Sequence, residues 1–500
     1  MINGYNVSRW SPNAVWARNK CLLWEQTQGR FANRPYPIIR RRTVMSEITK
    51  KSTSRREFLK NTGRIAAASA LATSIGPRVY AAENNTIKVA LIGCGGRGTG
   101  AASNALNVKS GPMKLVALGD VFERRLDRSY DNLKKQYKEK VDVPKDRQFV
   151  GFDAYKHAMD CLSPGDVAIF ATPPAFRWVH FAYAVKKRLN VFMEKPVTVD
   201  GPTSRRMFKL AKEATAKNLK VGVGLMSRHS RALEELAKRV HDGEIGDLIL
   251  QRGYRMGGRA CTTGPKPKNG NELLYQIQRF HSFIWASGGM YSDYYIHIID
   301  HLGWMKNAWP VKAQTLGGRH YRSDSVDQNF DHYAVEYTYA DGTKFDFDGR
   351  AMTGCKGIYS SYLHGTKGVA IASRSGDCGM PSSTYKGLNP TRSNLLWESK
   401  VNRAERNPYQ NEWNDLVDAI RNDKRYNEAK RGAEASLVTS MGRMAAHTGQ
   451  EITYDEILNC DHEMAPGLDK LTMDSAAPLQ AGADGKYPVP QPGILKKREY

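Results

Sequence analysis

The stretch from Thr86 to Gly98 constrains the fold more than any other. Thr86-Ile87-Lys88-Val89-Ala90-Leu91-Ile92 is a β-branched and apolar run of the kind that forms a buried parallel strand. It passes without a spacer into Gly93-Cys94-Gly95-Gly96-Arg97-Gly98, and the segment Thr99 to Leu106 is small-residue and helix-compatible. A lone G-x-G-x-x-G arises by chance in glycine-rich chains. Between a strand and a helix it is the phosphate turn of a doubly wound Rossmann sheet. Gly93 permits the tight turn, Gly95 lets backbone approach a pyrophosphate, and Gly98 lets helix and strand pack closely. The helix N-terminus then offers amide donors and the positive end of its dipole to the phosphates.

The segments that follow continue the alternation of strand and helix. A second strand, Lys114 to Gly119, ends at Asp120, 22 residues beyond Gly98. An acid there accepts bonds from a ribose 2′-hydroxyl and repels a 2′-phosphate, which favours NAD over NADP. The neighbouring Arg124 and Arg125 keep NADP open, and a helix cap or loop carboxylate is the structural alternative for Asp120. Asp166 to Ala171 is an apolar strand that breaks into Thr172-Pro173-Pro174. The strand Asn190-Val191-Phe192-Met193 runs straight into Glu194-Lys195-Pro196, and Lys220 to Leu225 makes one more. Both breaks fall at carboxyl ends of strands, the edge where open α/β sheets bind ligands.

At 500 residues the chain is too long for one ordinary domain, and its apolar fraction of 41% supports real cores. The net charge of +25 does not point to nucleic acid. The first 81 residues hold 15 Lys or Arg against 3 Asp or Glu, and the remaining excess is dispersed, without a basic run interleaved with aromatics. No run of about 18 apolar residues is present, so no membrane span is expected. The seven cysteines form no C-x-x-C pair and no zinc spacing. Within the basic leader, Ser54-Arg55-Arg56-Glu57-Phe58-Leu59-Lys60 precedes a mild apolar stretch, Ile65 to Ile75, and Val79-Tyr80-Ala81 supplies small residues for cleavage. This order resembles bacterial twin-arginine (Tat) signals and implies an exported, periplasmic protein. Met45 would give such a leader its normal length, so residues 1–44 are read as a miscalled start. The expected organisation is a leader over 1–81, a dinucleotide domain over 82–227, a second domain over 228–460 and a Pro/Gly-rich tail over 461–500.

Beyond Arg228 the pattern changes to alternating strands such as Asp247 to Tyr254 and His332 to Tyr339. Asp341-Gly342 is a strong hairpin signal before Lys344 to Phe347. This predicts an α+β domain with a mostly antiparallel open sheet. Within it, Ser292 is placed to cap a helix that carries Asp293 and His297 at i and i+4, on one face. A carboxylate beside an imidazole orients it for general-base work. The competing readings are a structural helix histidine paired with Asp300 or Tyr291, and a metal face through His301. No metal is expected, since neither a further carboxylate nor a glutamate base stands at fixed spacing. Lys195 has an ordinary solvated lysine as its alternative. Tyr254, Trp285 and Trp304 are aromatics that either line a sugar pocket or belong to the core.

The glycine loop, Ala171-Thr172-Pro173 and Glu194-Lys195-Pro196 together resemble the Gfo/Idh/MocA family, named for glucose–fructose oxidoreductase and inositol dehydrogenase. The resemblance runs from about Thr86 to Leu458, and Met441 to Gly449 matches that family's C-terminal helix. It implies hydride transfer between a sugar, polyol or glycoside hydroxyl and NAD (NADP possible). It also implies Lys195, Asp293 and His297 as the catalytic set. Gly93, Gly95, Gly98, Asp120, Thr172, Pro173, Glu194 and Lys195 are the expected cofactor contacts, and Arg228 occupies a cofactor-side position in some relatives. Tyr294 and Tyr295 between the Asp and the His are bulkier than in those relatives. Two further functions stay open: a redox-neutral glycosidase that keeps its NAD, and a non-catalytic sugar-binding protein. A homo-oligomer paired through the second-domain sheet is expected.

Overall fold

A computed structural model of the chain describes residues 85–322 and 325–500. The twin-arginine segment, the cleavage site and the early methionine lie outside the described residues.

The first sheet is fully parallel and six-stranded, in the order β3-β2-β1-β4-β5-β6. Its strands are β1 (Ile87–Ile92), β2 (Met113–Asp120), β3 (Gln148–Val150), β4 (Val167–Phe170), β5 (Asn190–Met193) and β6 (Val221–Val223). Helices cover both faces, so the central strands β1, β4 and β5 read as continuous apolar runs with almost no exposed residue. Strand order reverses between β1 and β4, and the two loops at that switch point are the glycine loop and Ala171-Thr172-Pro173. They are tied together, with the Ala171 amide donating to the Ile92 carbonyl at 2.8 Å. Gly93 has φ +95°, and a Cβ there would sit 2.6 Å from the Thr172 nitrogen. A Cβ on Gly98 would lie 1.9 Å from the Gly93 carbonyl oxygen, so the helix Gly96–Leu106 reaches β1 only because this residue is glycine.

The second sheet has nine strands, in the order β14-β13-β12-β11-β7-β10-β9-β8-β15. These are β7 (Leu248–Gly257), β8 (Lys312–Gly318), β9 (His332–Thr338), β10 (Lys344–Ala351), β11 (Ile358–Gly365), β12 (Gly368–Ser373), β13 (Ser383–Lys386), β14 (Leu395–Glu398) and β15 (Ile452–Thr453). Every pairing is antiparallel except β7 with β10. The hairpin β9–β10 turns at Asp341-Gly342, with the Gly342 amide donating to the Tyr339 carbonyl at 3.0 Å. Inward residues Tyr333, Val335, Tyr337, Phe345 and Phe347 bury against the helices Gly289–Lys306 and Ala429–Thr448. The opposite face carries exposed apolar side chains, Leu316 among them at 79%.

The helix Gly289–Lys306 lies between the second sheet and the first lobe, and nearly all its residues are buried. It starts three residues before the expected cap. Gly288 and Gly289 make the entry at φ +76° and +70°, and Ser292 sits inside the helix, accepting a hydrogen bond from Arg443 Nη1 at 2.8 Å. The helix Pro408–Arg421 returns to the first sheet, where Trp413 packs on Phe192 with ring centroids 4.6 Å apart. The tail carries only a short 3-10 turn, Leu468–Lys470, yet Leu468, Leu479, Tyr487 and Glu499 in it are buried. No helix among the described residues is long and apolar enough to cross a membrane.

Candidate active site

One cleft of about 1030 Å³ runs along the carboxyl edge of the first sheet and under the helix Gly289–Lys306. Gly93, Gly95, Gly98, Asp120, Thr172, Pro173, Glu194, Lys195, Asp293 and His297 all line it. The expected cofactor contacts stand at one end and in the middle, and the expected catalytic residues at the other.

At the glycine loop, a Cβ on Gly95 or Gly96 would meet no protein atom within 4 Å, so the loop presents bare backbone to the cleft. Such a cradle, backed by a helix N-terminus, fits a pyrophosphate. Asp120 ends β2 beside it. Its carboxylate accepts the Cys94 amide at 2.6 Å and the Phe122 amide at 2.9 Å. Burial raises its pKa against those two bonds. Each oxygen keeps a second lone pair for a ribose hydroxyl. Arg125 and Arg128 line the same end.

Thr172 and Glu194 are fixed by Arg177, a wholly buried arginine that the sequence reading did not single out. Its Nη1 donates to Thr172 Oγ1 at 2.9 Å and also to the Thr172 carbonyl, and its Nε donates to the Glu194 carbonyl at 2.9 Å. Burial lowers the Arg177 pKa to about 10, which leaves it a cation at neutral pH. The Glu194 carboxylate pairs with Arg97 of the glycine loop at 2.6 Å, and that guanidinium lies 4.7 Å above the Tyr409 ring.

At the other end, Lys195 Nζ donates to the Asp293 carbonyl at 2.6 Å and lies 3.5 Å from Asp293 Oδ1. Asp293 Oδ2 meets His281 Nε2 at 3.1 Å. Burial pushes the Asp293 carboxyl up, but Lys195 and His281 outweigh it and hold it well below the usual carboxylate range. This corrects one expectation: Asp293 engages Lys195 and His281, and its carboxylate makes no hydrogen bond to His297. The acid nearest His297 is Asp377, from the segment between β12 and β13, with Oδ2 4.0 Å from Nδ1. That Nδ1 is buried without a hydrogen-bond partner, so the nitrogen left to meet a substrate is Nε2. Burial lowers the His297 pKa to about 4, with Asp377 opposing and Lys195 reinforcing the shift. The imidazole is therefore neutral at pH 7 and able to take a proton.

Several competing readings find their residues occupied. Asp300 is clamped by Arg228, whose Nε and Nη2 donate to its carboxylate at 2.9–3.0 Å. That removes Asp300 as a partner for His297, and Arg228 is not among the residues that line the cleft. His301 bonds Ser361 Oγ at 2.8 Å on the sheet side. Trp285 is a core residue that donates to Gln276 Oε1 at 2.7 Å. Tyr294, Tyr359 and Phe280 are among the aromatics that line the cleft with Lys195, Asp293 and His297. The Tyr359 hydroxyl bonds Asp377 Oδ2.

No family model matches the chain. Over 105 residues, 21% of this chain and 31% of the relative, it is 29% identical to the inositol 2-dehydrogenase of Corynebacterium glutamicum (strain R). The chain thus spans about a third of the length of the curated relatives it matches. Solved structures align far more broadly. The myo-inositol 2-dehydrogenase of Lactobacillus plantarum is covered over 99% of its length and covers 74% of this chain, with TM-score 0.54 and 21% identity. The aldose-aldose oxidoreductase of Caulobacter crescentus gives TM-score 0.56 at 15% identity, with the same coverage of both chains. The scyllo-inositol dehydrogenase of Lactobacillus casei, solved with bound NAD(H) and scyllo-inositol, gives 0.54 at 20% identity, again over 74% of this chain and 99% of that one. This chain has the two-domain fold of those three structures, a parallel dinucleotide-type sheet followed by a mostly antiparallel one.

Proposed function

We propose that this chain is an NAD-dependent oxidoreductase that acts on a CH–OH group of a sugar or polyol. One observation carries the reading: a single cleft joins the bare glycine cradle and Asp120 to Lys195 and His297. The names of the similar proteins, inositol dehydrogenases and an aldose-aldose oxidoreductase, support the same class of chemistry. The partial sequence match brings the family resemblance in at this level as well.

A dinucleotide held in the cleft would supply the two-electron acceptor. The chain does the rest. The loop from Gly93 to Gly98 and the helix behind it hold the pyrophosphate, and Asp120 takes ribose hydroxyls, which favours NAD over NADP. Thr172, Pro173 and Glu194 form the wall between the two ends, kept in place by Arg177. His297 takes the proton of the reacting hydroxyl at Nε2. Lys195, anchored by Asp293, donates a hydrogen bond to the same oxygen and steadies the charge that develops there.

Gly95→Val tests the cradle. The added side chain has open space in the protein itself, so the variant is expected to fold and to melt like wild type. Titration calorimetry is expected to show loss of NAD binding; wild-type affinity would mean that the loop is merely structural. The reading extends to export and assembly. Paired arginines and a small-residue cleavage site support a Tat leader and periplasmic delivery. Arg55→Lys with Arg56→Lys is expected to trap full-length protein in the cytoplasm, and normal periplasmic accumulation would reject the signal. Exposed Ile249, Leu316 and Leu396 on the outward face of the second sheet support pairing of two copies there.

A further inference from the structure

The inward-facing arginines of this fold are satisfied by acids or carbonyls. Arg228 holds Asp300, Arg322 holds Asp327, Arg443 holds Glu499 and Arg97 holds Glu194, while Arg177 is bonded to the Thr172 and Glu194 carbonyls. Arg255 is different. It lines the catalytic end of the cleft with Lys195, His297 and Tyr359, and among the described residues no carboxylate comes within ion-pair distance of it. Its guanidinium carbon lies over the Tyr359 ring, 3.6 Å from the centroid.

Sheet register explains how it gets there. Arg255 is the cross-strand partner of Tyr359 on β11 and of Gly349 on β10. Gly253, two residues earlier on the same face of β7, is where Ile298 of the helix Gly289–Lys306 packs. Arg255 thus stands on the helix side of the sheet, one step beyond the packed core, where the sheet opens into the cleft. A cation on this face costs desolvation unless something anionic meets it. The Tyr359 ring holds the guanidinium by a cation–π contact, and the nearby acids are taken. Asp377 is engaged by Tyr359 and Cys378, and Asp293 by Lys195 and His281.

We infer that Arg255 receives an anionic group of the substrate, and that this cleft takes a sugar acid whose carboxylate pairs with the guanidinium while the reacting hydroxyl faces His297. The inference rests on the oxidoreductase reading for the identity of the reacting group. A carboxylate fits one guanidinium fork, two oxygens to two N–H donors. A phosphate dianion would find a single free cation and two carboxylates close by.

The test is calorimetric titration of the NAD-loaded protein with glucuronate and galacturonate, each beside its parent hexose. Wild type is expected to bind at least one acid tenfold or more tighter than its parent hexose. Arg255→Met is expected to lose about tenfold to a hundredfold of that acid's affinity, the scale of a charge-assisted pair, and to leave the hexose unchanged. Arg255→Lys, which keeps the charge but not the fork, is expected to fall between. The assignment is overturned if no acid exceeds its parent, if Arg255→Met weakens acid and hexose alike, or if glucose 6-phosphate binds tighter than either acid. Following NADH in parallel separates the two ideas. Arg255-dependent acid binding without NADH from any sugar would remove the oxidoreductase reading and leave the anion site standing.

Discussion

His297→Ala is expected to lower turnover by at least about a hundredfold, the usual scale for a positioned acid–base group. NAD affinity is expected to survive, because the imidazole stands at the far end of the cleft from the glycine cradle. The pH profile gives a sharper signature than the rate alone. An ordinary histidine base would lose activity as pH falls through about 6.5. In this chain burial lowers the His297 pKa to about 4. The neutral, active form therefore persists on acidification, and the acid limb is expected near pH 4. Asp377 opposes that depression, so Asp377→Asn is expected to move the limb further down in pH. Steady-state rates followed down to about pH 3 check both; an acid limb near 6.5 would place the imidazole in a wetter site than the fold gives it.

Glu499→Ala is expected to destabilise the protein by about 3–5 kcal/mol, as measured by urea unfolding, because it strands a fully buried arginine. Arg443 is 0% exposed and Glu499 3%. Arg443 donates to both carboxylate oxygens of Glu499, and His447 Nδ1 meets Oε2 at 2.6 Å. The same guanidinium donates to the Gly288 carbonyl and to Ser292 Oγ, so it also fixes the start of the helix that carries Asp293 and His297. Burial pushes the Glu499 carboxyl up, but Arg443 and His447 bring it down to about 2 from a reference of 4.5. A carboxylate depressed on folding contributes stability that is complete above the unfolded value and lost as pH falls through the folded one. Wild type is thus expected to lose this contribution between about pH 4.5 and pH 2, and Glu499→Ala to show no such loss.

What the sequence made legible was local. β1, the glycine loop and the strand endings at Thr172 and Glu194 are contiguous signals, and the fold brings the residues they marked to one cleft. Asp293 and His297 were readable as a helical pair, but i,i+4 spacing only permits contact. Lys195 and His281, arriving from other elements, win Asp293 instead. Arg255 meets Tyr359, and through it Asp377, only because the register of β7 with β11 pairs Arg255 with Tyr359, more than a hundred residues on, and no local pattern marks them. The Arg228–Asp300 pair was not legible, because Asp300 lies 72 residues on, in a helix whose packing only the fold decides. The Pro/Gly-rich tail reads as loop and largely is loop, yet Glu499 within it is the counter-ion of the buried Arg443.

The central claim is that hydrogen leaves a sugar carbon inside this cleft. The most direct measurement is a single turnover quenched in cold neutral methanol, with protein and bound NAD in excess over ring-deuterated glucose, glucuronate or myo-inositol. Mass analysis then reads the recovered nicotinamide. The account predicts one deuterium on the reduced nicotinamide with at least one of the three, and none with His297→Ala. The same quench registers the redox-neutral glycosidase reading, when run on a deuterated aryl glycoside, as label that appears on the nicotinamide and then returns to the product. Recovery of only oxidised, unlabelled NAD from the wild-type protein at every quench time would contradict the account.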